Sequence, residues 1–165
     1  MGTHYNGTTK EKLALDSYIK LNRATNSVNR RHLQVTRQYG LTPSQFAVME
    51  ALLHLGPLCQ RTISEKVLLS TGNLTTVIDN LEHHDWVTRT REKADRRMVM
   101  IALTDKGHAL IEPAFQLNLK LILEEFAVLS EVEQAELSRL CKILGTQVQI
   151  PSESLITPSP ESELT

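Results

Sequence analysis

Residues 70–103 read STGNLTTVIDNLEHHDWVTRTREKADRRMVMIAL, and two hydrophobic periods lie end to end within them. Leu74, Val77, Ile78 and Leu81 recur at i, i+3, i+4 and i+7, the spacing of one buried helix face. Asn73, Thr75, Thr76, Asp79 and Asn80 fall on the outward side of the same helix. Ser70-Thr71-Gly72-Asn73 supplies a turn and an N-cap ahead of it, and the helix is expected to end near His83-His84-Asp85. From Val87 the period drops to two. Val87-Thr88-Arg89-Thr90-Arg91 alternates, Met98–Leu103 is a second strand-like run, and Glu92–Arg97 between them is a charged hairpin tip.

Upstream, Thr42-Pro43-Ser44-Gln45 is a capping box with proline at the first helical position. The apolar set Phe46, Val48, Met49, Leu52 and Leu53 follows, and Gly56-Pro57 stops that helix. A short helix at Gln60–Leu68 comes next, with Ile63 and Val67 inward. Before Gly40, the stretch from Lys10 to Tyr39 lacks both Pro and Gly and reads as one long polar helix. Its apolar stripe is thin, which calls for burial against another helix or another subunit.

Downstream, Thr104-Asp105-Lys106 opens a helix with apolar residues on two faces, from Leu110 through Phe115 and Leu121 to Phe126. Ser130-Glu131-Val132-Glu133 caps a final helix carrying Leu137, Leu140, Ile143, Leu144 and Val148. The segment from Pro151 onward is rich in Pro, Ser and Glu. No internal repeat is present.

The 165 residues, 41% hydrophobic and 22% charged, fit an ordinary globular domain with tails. Apolar runs of only a few residues, such as Ala51-Leu52-Leu53, exclude a bilayer-spanning helix. The start MGTHYNGTTKEK has no apolar h-region, so a cytoplasmic protein is expected. Cys59 and Cys141 stand far apart and build no disulfide framework. The net charge of −1 divides unevenly: residues 1–37 carry +5 and residues 108–165 carry −6. A nucleic-acid partner must therefore be argued from where the basic residues sit.

Helix, short helix, polar turn, amphipathic helix and two strands with a charged tip is the order of a winged helix-turn-helix. A reading helix must bury one face on its own domain while offering short hydrogen-bonding side chains to base edges. Thr71–Asn80 meets that requirement, with Asp79 expected to pair with a nearby base rather than face phosphate. Arg89, Arg91, Lys93, Arg96 and Arg97 add five cations in nine residues on the hairpin, where an arginine can enter a minor groove. No phosphate-cradling glycine loop, HExxH or nucleophile elbow is present, so neither an enzyme nor a bound cofactor is expected. His83 and His84 project a third of a turn apart, and His54 and His108 add no ligand spacing, so no metal site is expected.

The stretches LTPSQFAVMEALLHLGPL, ISEKVLLSTGNLTTVIDNLEHHDWVTRT and DRRMVMIALTDKG resemble the MarR family of bacterial transcription regulators over roughly Thr42–Glu112. The resemblance implies that Arg97 is the wing arginine entering the minor groove and that Asp95 orients it. It implies that Thr71, Asn73, Thr75 and Thr76 touch bases and phosphates. It further implies a homodimer that binds double-stranded DNA at a pseudo-palindromic operator, commonly as a repressor released by a small phenolic or anionic effector. Tyr39, Phe46, Met49 and Leu52 are the candidate lining of that effector pocket, with core packing as the alternative. Cys59 departs from the pattern, because the family usually opens this short helix with Ser or Thr. A thiol is a weak acceptor and caps poorly, so either this helix start is less firm or the residue serves reactivity, since a helix N-terminus would lower its pKa.

The expected architecture is therefore mainly α with a small β-wing. Residues 41–103 form the winged helix-turn-helix domain, and residues 10–40 with 104–148 form a helical dimerisation lobe. Residues 1–9 and 149–165 are expected to be disordered. Two alternatives stay open: a thiol-based redox regulator using Cys59, and a winged-helix module that docks on protein without binding DNA.

Overall fold

The computed structural model describes residues 3–67, 69–91 and 99–146. They form two compact units, one ending at Glu125 and the other beginning at Phe126. In chain order the elements are α1 (Thr9–Gln38), α2 (Pro43–Leu55), β1 (Leu58–Cys59), α3 (Gln60–Val67), α4 (Thr71–His83), β2 (Val87–Arg91), β3 (Val99–Leu103), α5 (Asp105–Phe126) and α6 (Glu131–Thr146). Among the described residues no helix is long and apolar enough to cross a membrane. The expected disordered tail, 149–165, lies outside the described residues.

Helix starts follow the local chemistry. The Thr42 N–H donates to Gln45 Oε1 at 2.8 Å while Thr42 Oγ1 accepts from the Gln45 N–H at 3.2 Å, which closes the capping box at α2. A second box, not foreseen, extends α1 toward the N-terminus: the Thr8 N–H donates to Glu11 Oε2 at 2.7 Å. The Thr8 backbone and hydroxyl bonds hold the Glu11 carboxyl below its ordinary value. Thr8 and Thr9, expected to be frayed, are thus the cap and first residue of the helix. Gly40, at φ +68°, ends it, and its N–H donates to the Arg37 carbonyl at 3.0 Å. α5 runs through Pro113, which forfeits one backbone hydrogen bond.

The sheet has three antiparallel strands in the order β1-β3-β2, not the two expected. The addition is β1, where Leu58 pairs with Ile101 and Cys59 with Met100. β2 and β3 form the hairpin, with Arg89 opposite Ile101 and Arg91 opposite Val99. The core gathers under this sheet. Val48, Met49, Ile63, Leu74, Ile78, Leu81, Ile101 and Ile111 are fully buried and join α2, α3, α4, β3 and α5 into one cluster. Val77, on the edge of the α4 stripe, is half-buried.

The turn after α4 is clamped by the start of α5. Asp85 adopts φ 60°, an unusual value for a residue with a side chain. The Thr104 hydroxyl donates to the Asp85 carbonyl at 2.7 Å, and Lys106 Nζ donates to the His84 carbonyl at 2.8 Å. A Cβ built on Gly107 would lie 2.0 Å from the Trp86 carbonyl oxygen, so no larger residue fits there without moving backbone. Gly72, in α4, has open space around it.

The second unit stands apart in character. The Ser130 N–H donates to Glu133 Oε2 at 2.8 Å to cap α6. Val132, Leu137, Leu140, Ile143 and Leu144 remain exposed on that helix in the single chain. In the first unit, Leu13 and Tyr18 of α1 are likewise exposed, at 68% and 65%.

Gly107→Ala is expected to lower unfolding free energy by about 1–3 kcal/mol, the usual cost of forcing atoms into a packed contact. Gly72→Ala should leave stability within about 1 kcal/mol of wild type, on the stabilising side. Urea denaturation followed by circular dichroism distinguishes the two.

Candidate nucleic-acid interface

α4 exists as a half-buried helix because Leu74, Ile78 and Leu81 share one face and are fully enclosed. Burying each contributes about 1.5–3 kcal/mol, enough together to fix the helix axis against the domain. Ser70 caps the helix, its side chain accepting from the Asn73 N–H at 3.4 Å. Thr71 is the first helical residue, and Asn73, Thr75 and Thr76 are exposed on the outward face. The Thr76 hydroxyl donates to the Gly72 carbonyl at 3.4 Å, and Asn80 Nδ2 donates to the Thr76 carbonyl at 2.8 Å.

A residue that the sequence did not single out holds this face. Gln60, at the start of α3, donates from Nε2 to Thr75 Oγ1 at 2.7 Å. Fifteen residues separate the two, so no local period announces the contact. Its one signal is that Gln60 opens the helix that packs on α4.

The expected cation cluster divides. Arg91 is exposed at the end of β2. Lys93, Asp95, Arg96 and Arg97 lie outside the described residues. Arg89 turns back instead: Nη1 donates to Glu82 Oε2 and Nη2 to Asp79 Oδ1, both on α4. Burial alone would lower the Arg89 pKa, but the bonds to Asp79 and Glu82 outweigh it and hold the guanidinium above its ordinary value. Asp79 is thus paired with a base, as expected, while Arg89 is engaged within the domain.

Cys59 sits at the last residue of β1, immediately before α3. Its Sγ lies 3.2 Å from the Thr62 hydroxyl, and bonds from that hydroxyl, the Thr62 N–H and the Arg61 N–H lower the thiol pKa. The thiol therefore occupies the capping place where Ser or Thr was expected. Cys141 belongs to the second unit and is exposed; both thiols are free. Among the described residues no group of three His, Cys, Asp or Glu could hold a metal ion.

A cavity of about 450 Å³ opens between α1, α2 and α5, with Asn29, His32, Phe46, Glu50 and Asn118 among its walls. His32 Nδ1 lies 2.6 Å from Asn118 Oδ1, and Asn118 is 5% exposed. His32 Nε2 faces the enclosed carboxylate of Glu125 at 3.5 Å, which Arg31 also pairs. Burial raises the Glu50 carboxyl above its ordinary value, opposed in part by His54 and His32. Of Tyr39, Phe46, Met49 and Leu52, only Phe46 lines this cavity. Pro43, Phe46 and Glu50 share the α2 face turned to the cavity. Met49 and Leu52 point into the core, 0% and 2% exposed, and Tyr39 packs against that core. Two polar residues of this cavity were not singled out in the sequence: buried Asn118, and Glu50, an acid on an apolar helix.

Residues 32–113 match the family model of the transcriptional regulator SarA/Rot. The HTH-type transcriptional regulator MhqR of Bacillus subtilis is 34% identical over 132 residues, covering 80% of this chain and 91% of that protein. A cysteine-to-serine variant of MarR from Escherichia coli, in complex with operator DNA, superposes with a TM-score of 0.64 at 26% identity, covering 78% of this chain and 95% of that one. A MepR-like protein complexed with pseudoligands gives a TM-score of 0.63 at 32% identity, covering 80% and 94%. The matched family and MhqR are transcription regulators, not enzymes. With its helix-turn-helix, its three-stranded sheet and these relatives, the chain belongs to the MarR family of winged helix-turn-helix, DNA-binding transcription regulators.

Proposed function

We propose that the chain acts as a homodimeric, sequence-specific repressor of a pseudo-palindromic operator, released by a small-molecule effector. The observation that carries this reading is α4 itself: three fully enclosed apolar residues on one face and uncharged Asn73, Thr75 and Thr76 exposed on the other. In this reading Thr71, Asn73, Thr75 and Thr76 meet base edges and phosphates in the major groove. Arg97, two residues after Asp95, enters the flanking minor groove, and Arg91, Lys93 and Arg96 neutralise phosphate.

Dimerisation is supported by apolar surface that the single chain leaves in water. Leu13 and Tyr18 on α1, and Leu137, Leu140, Ile143 and Leu144 on α6, are exposed side chains of the kind a homodimer interface buries. Two copies of α4 would then enter successive major grooves about 34–36 Å apart.

The cavity beside Phe46 supports an effector site. Among the described residues its walls carry an imidazole, two amides and the Glu50 carboxylate, and neither Lys nor Arg. That lining favours a ring bearing hydroxyl donors over a carboxylate anion, because an anion would lose its water beside Glu50 with no cation to replace it. Binding there, between helices of the recognition domain and α1, would shift the population of DNA-competent dimers.

Three outcomes are expected. In a fluorescence-anisotropy titration on an operator duplex at fixed salt, Arg97→Ala weakens binding by about 1–3 kcal/mol; an unchanged isotherm contradicts the wing assignment. Asn73→Ala lowers selectivity among single-base variants of that duplex, by about 1–3 kcal/mol at the position it reads. Sedimentation equilibrium of the full chain returns twice the mass of 18.6 kDa, and Leu140→Lys with Leu144→Lys shifts it toward the single chain.

A further inference from the structure

Sequence groups Arg89 with four other wing cations as candidate DNA contacts. The geometry assigns it a different task, and we propose that Arg89 is a positioning residue that fastens the base of the wing to α4 rather than a residue that touches DNA. The inference rests on the DNA-binding reading above and concerns how that site is held.

Three observations carry it. First, Arg89 is the central residue of β2, paired across the ladder with Ile101, whose side chain is fully buried; its Cα is fixed by the sheet, not by the hairpin tip. Second, its two terminal nitrogens go to two different acids of α4. Nη1 donates to Glu82 and Nη2 to Asp79, residues three apart and therefore on one side of the helix. A planar fork that spans two carboxylates fixes the helix in rotation as well as in distance. Third, the Arg89 side chain is 27% exposed while those of the acids are 58% and 40% exposed, so the arginine is the more enclosed partner. An arginine committed in this way has little left to offer a phosphate.

Without the fork, two carboxylates would stand free within about two turns of the reading face and repel the phosphate backbone. Arg89 neutralises one of those charges and directs both toward the sheet. At the other end of the reading face, Gln60 holds the Thr75 hydroxyl from α3. α4 is thereby pinned near its start by α3 and near its end by β2. A wing fastened to the helix in this way moves with it, so that major- and minor-groove contacts keep one spacing.

The test uses the full chain and two duplexes of about 30 base pairs, enough for two half-sites. One is enriched by selection against the wild-type protein and the other has mixed sequence. Binding to each is titrated by anisotropy over a series of salt concentrations. Arg89→Ala is expected to weaken binding to the selected duplex by about three- to thirtyfold, the range of a partly exposed charged pair, with the slope of log affinity against log salt changed by well under the value of about 0.9 that one phosphate contact contributes. A phosphate contact would reduce that slope by about 0.9, which would overturn the proposal. Exchanging the charges, Arg89→Asp with Asp79→Arg, should recover most of the loss, and failure to recover also overturns it. Should Arg89→Ala fail to fold, Asp79→Asn with Glu82→Gln leaves the arginine in place and removes only its anchors. Selectivity for the selected duplex then falls several-fold if Arg89 positions the helix; unchanged selectivity refutes the assignment. Wild-type protein that binds neither duplex would instead refute the DNA-binding reading itself.

Discussion

A helix can offer short polar side chains to a partner only if its opposite face is held firmly enough to fix both axis and rotation. In this chain that constraint is met by Leu74, Ile78 and Leu81, which are fully enclosed beneath α4. Burial fixes the axis, but apolar contact is non-directional and leaves some freedom to roll. The directional part comes from Gln60 on Thr75 and from the Arg89 fork on Asp79 and Glu82. The turn that follows, with Asp85 at φ 60°, is closed by the hydroxyl of Thr104 and by the approach of Gly107 to the Trp86 carbonyl. The start of α5 therefore defines where β2 begins, and β2 carries Arg89. Core, clamp and wing base form one mechanical chain.

Much of this was legible in sequence because it rests on short-range rules. The Thr42–Gln45 capping box, the Ser70 cap and the Ser130–Glu133 cap all form as their spacing predicts. The apolar stripe of α4 and the alternation of β2 report their periods directly. Even Gly107, noted first as part of a family-like stretch, gains a physical reason: only a residue without Cβ fits against the Trp86 carbonyl. The helix start at Thr9 was missed because the second capping box involves Thr8 and Glu11, within a segment whose composition looks frayed.

What was not legible depends on residues distant in sequence or on direction. β1 has two residues, too few to show a period, and it exists only because β3 offers it an edge. Gln60 and Thr75 meet because α3 packs on α4, which no local pattern reveals. Arg89 looked like its neighbours because a count of cations carries no information about where each points. On α2, Phe46, Met49 and Leu52 are equally apolar, yet only Phe46 shares the Pro43–Glu50 face that meets the cavity. Cys59 looked like a poor cap, but the hydroxyl of Thr62 and nearby N–H groups meet its sulfur and lower its pKa.

The central claim is that a matched pair of α4 helices reads DNA one turn apart. Hydroxyl-radical and methylation footprinting, on a genomic fragment that the purified protein retains, tests it most directly. The account predicts two guarded major-groove segments related by a twofold axis, with centres about 10 base pairs apart, and minor-groove protection on their outer flanks. A single guarded segment, or uniform protection that fades with salt and follows no sequence, would contradict it.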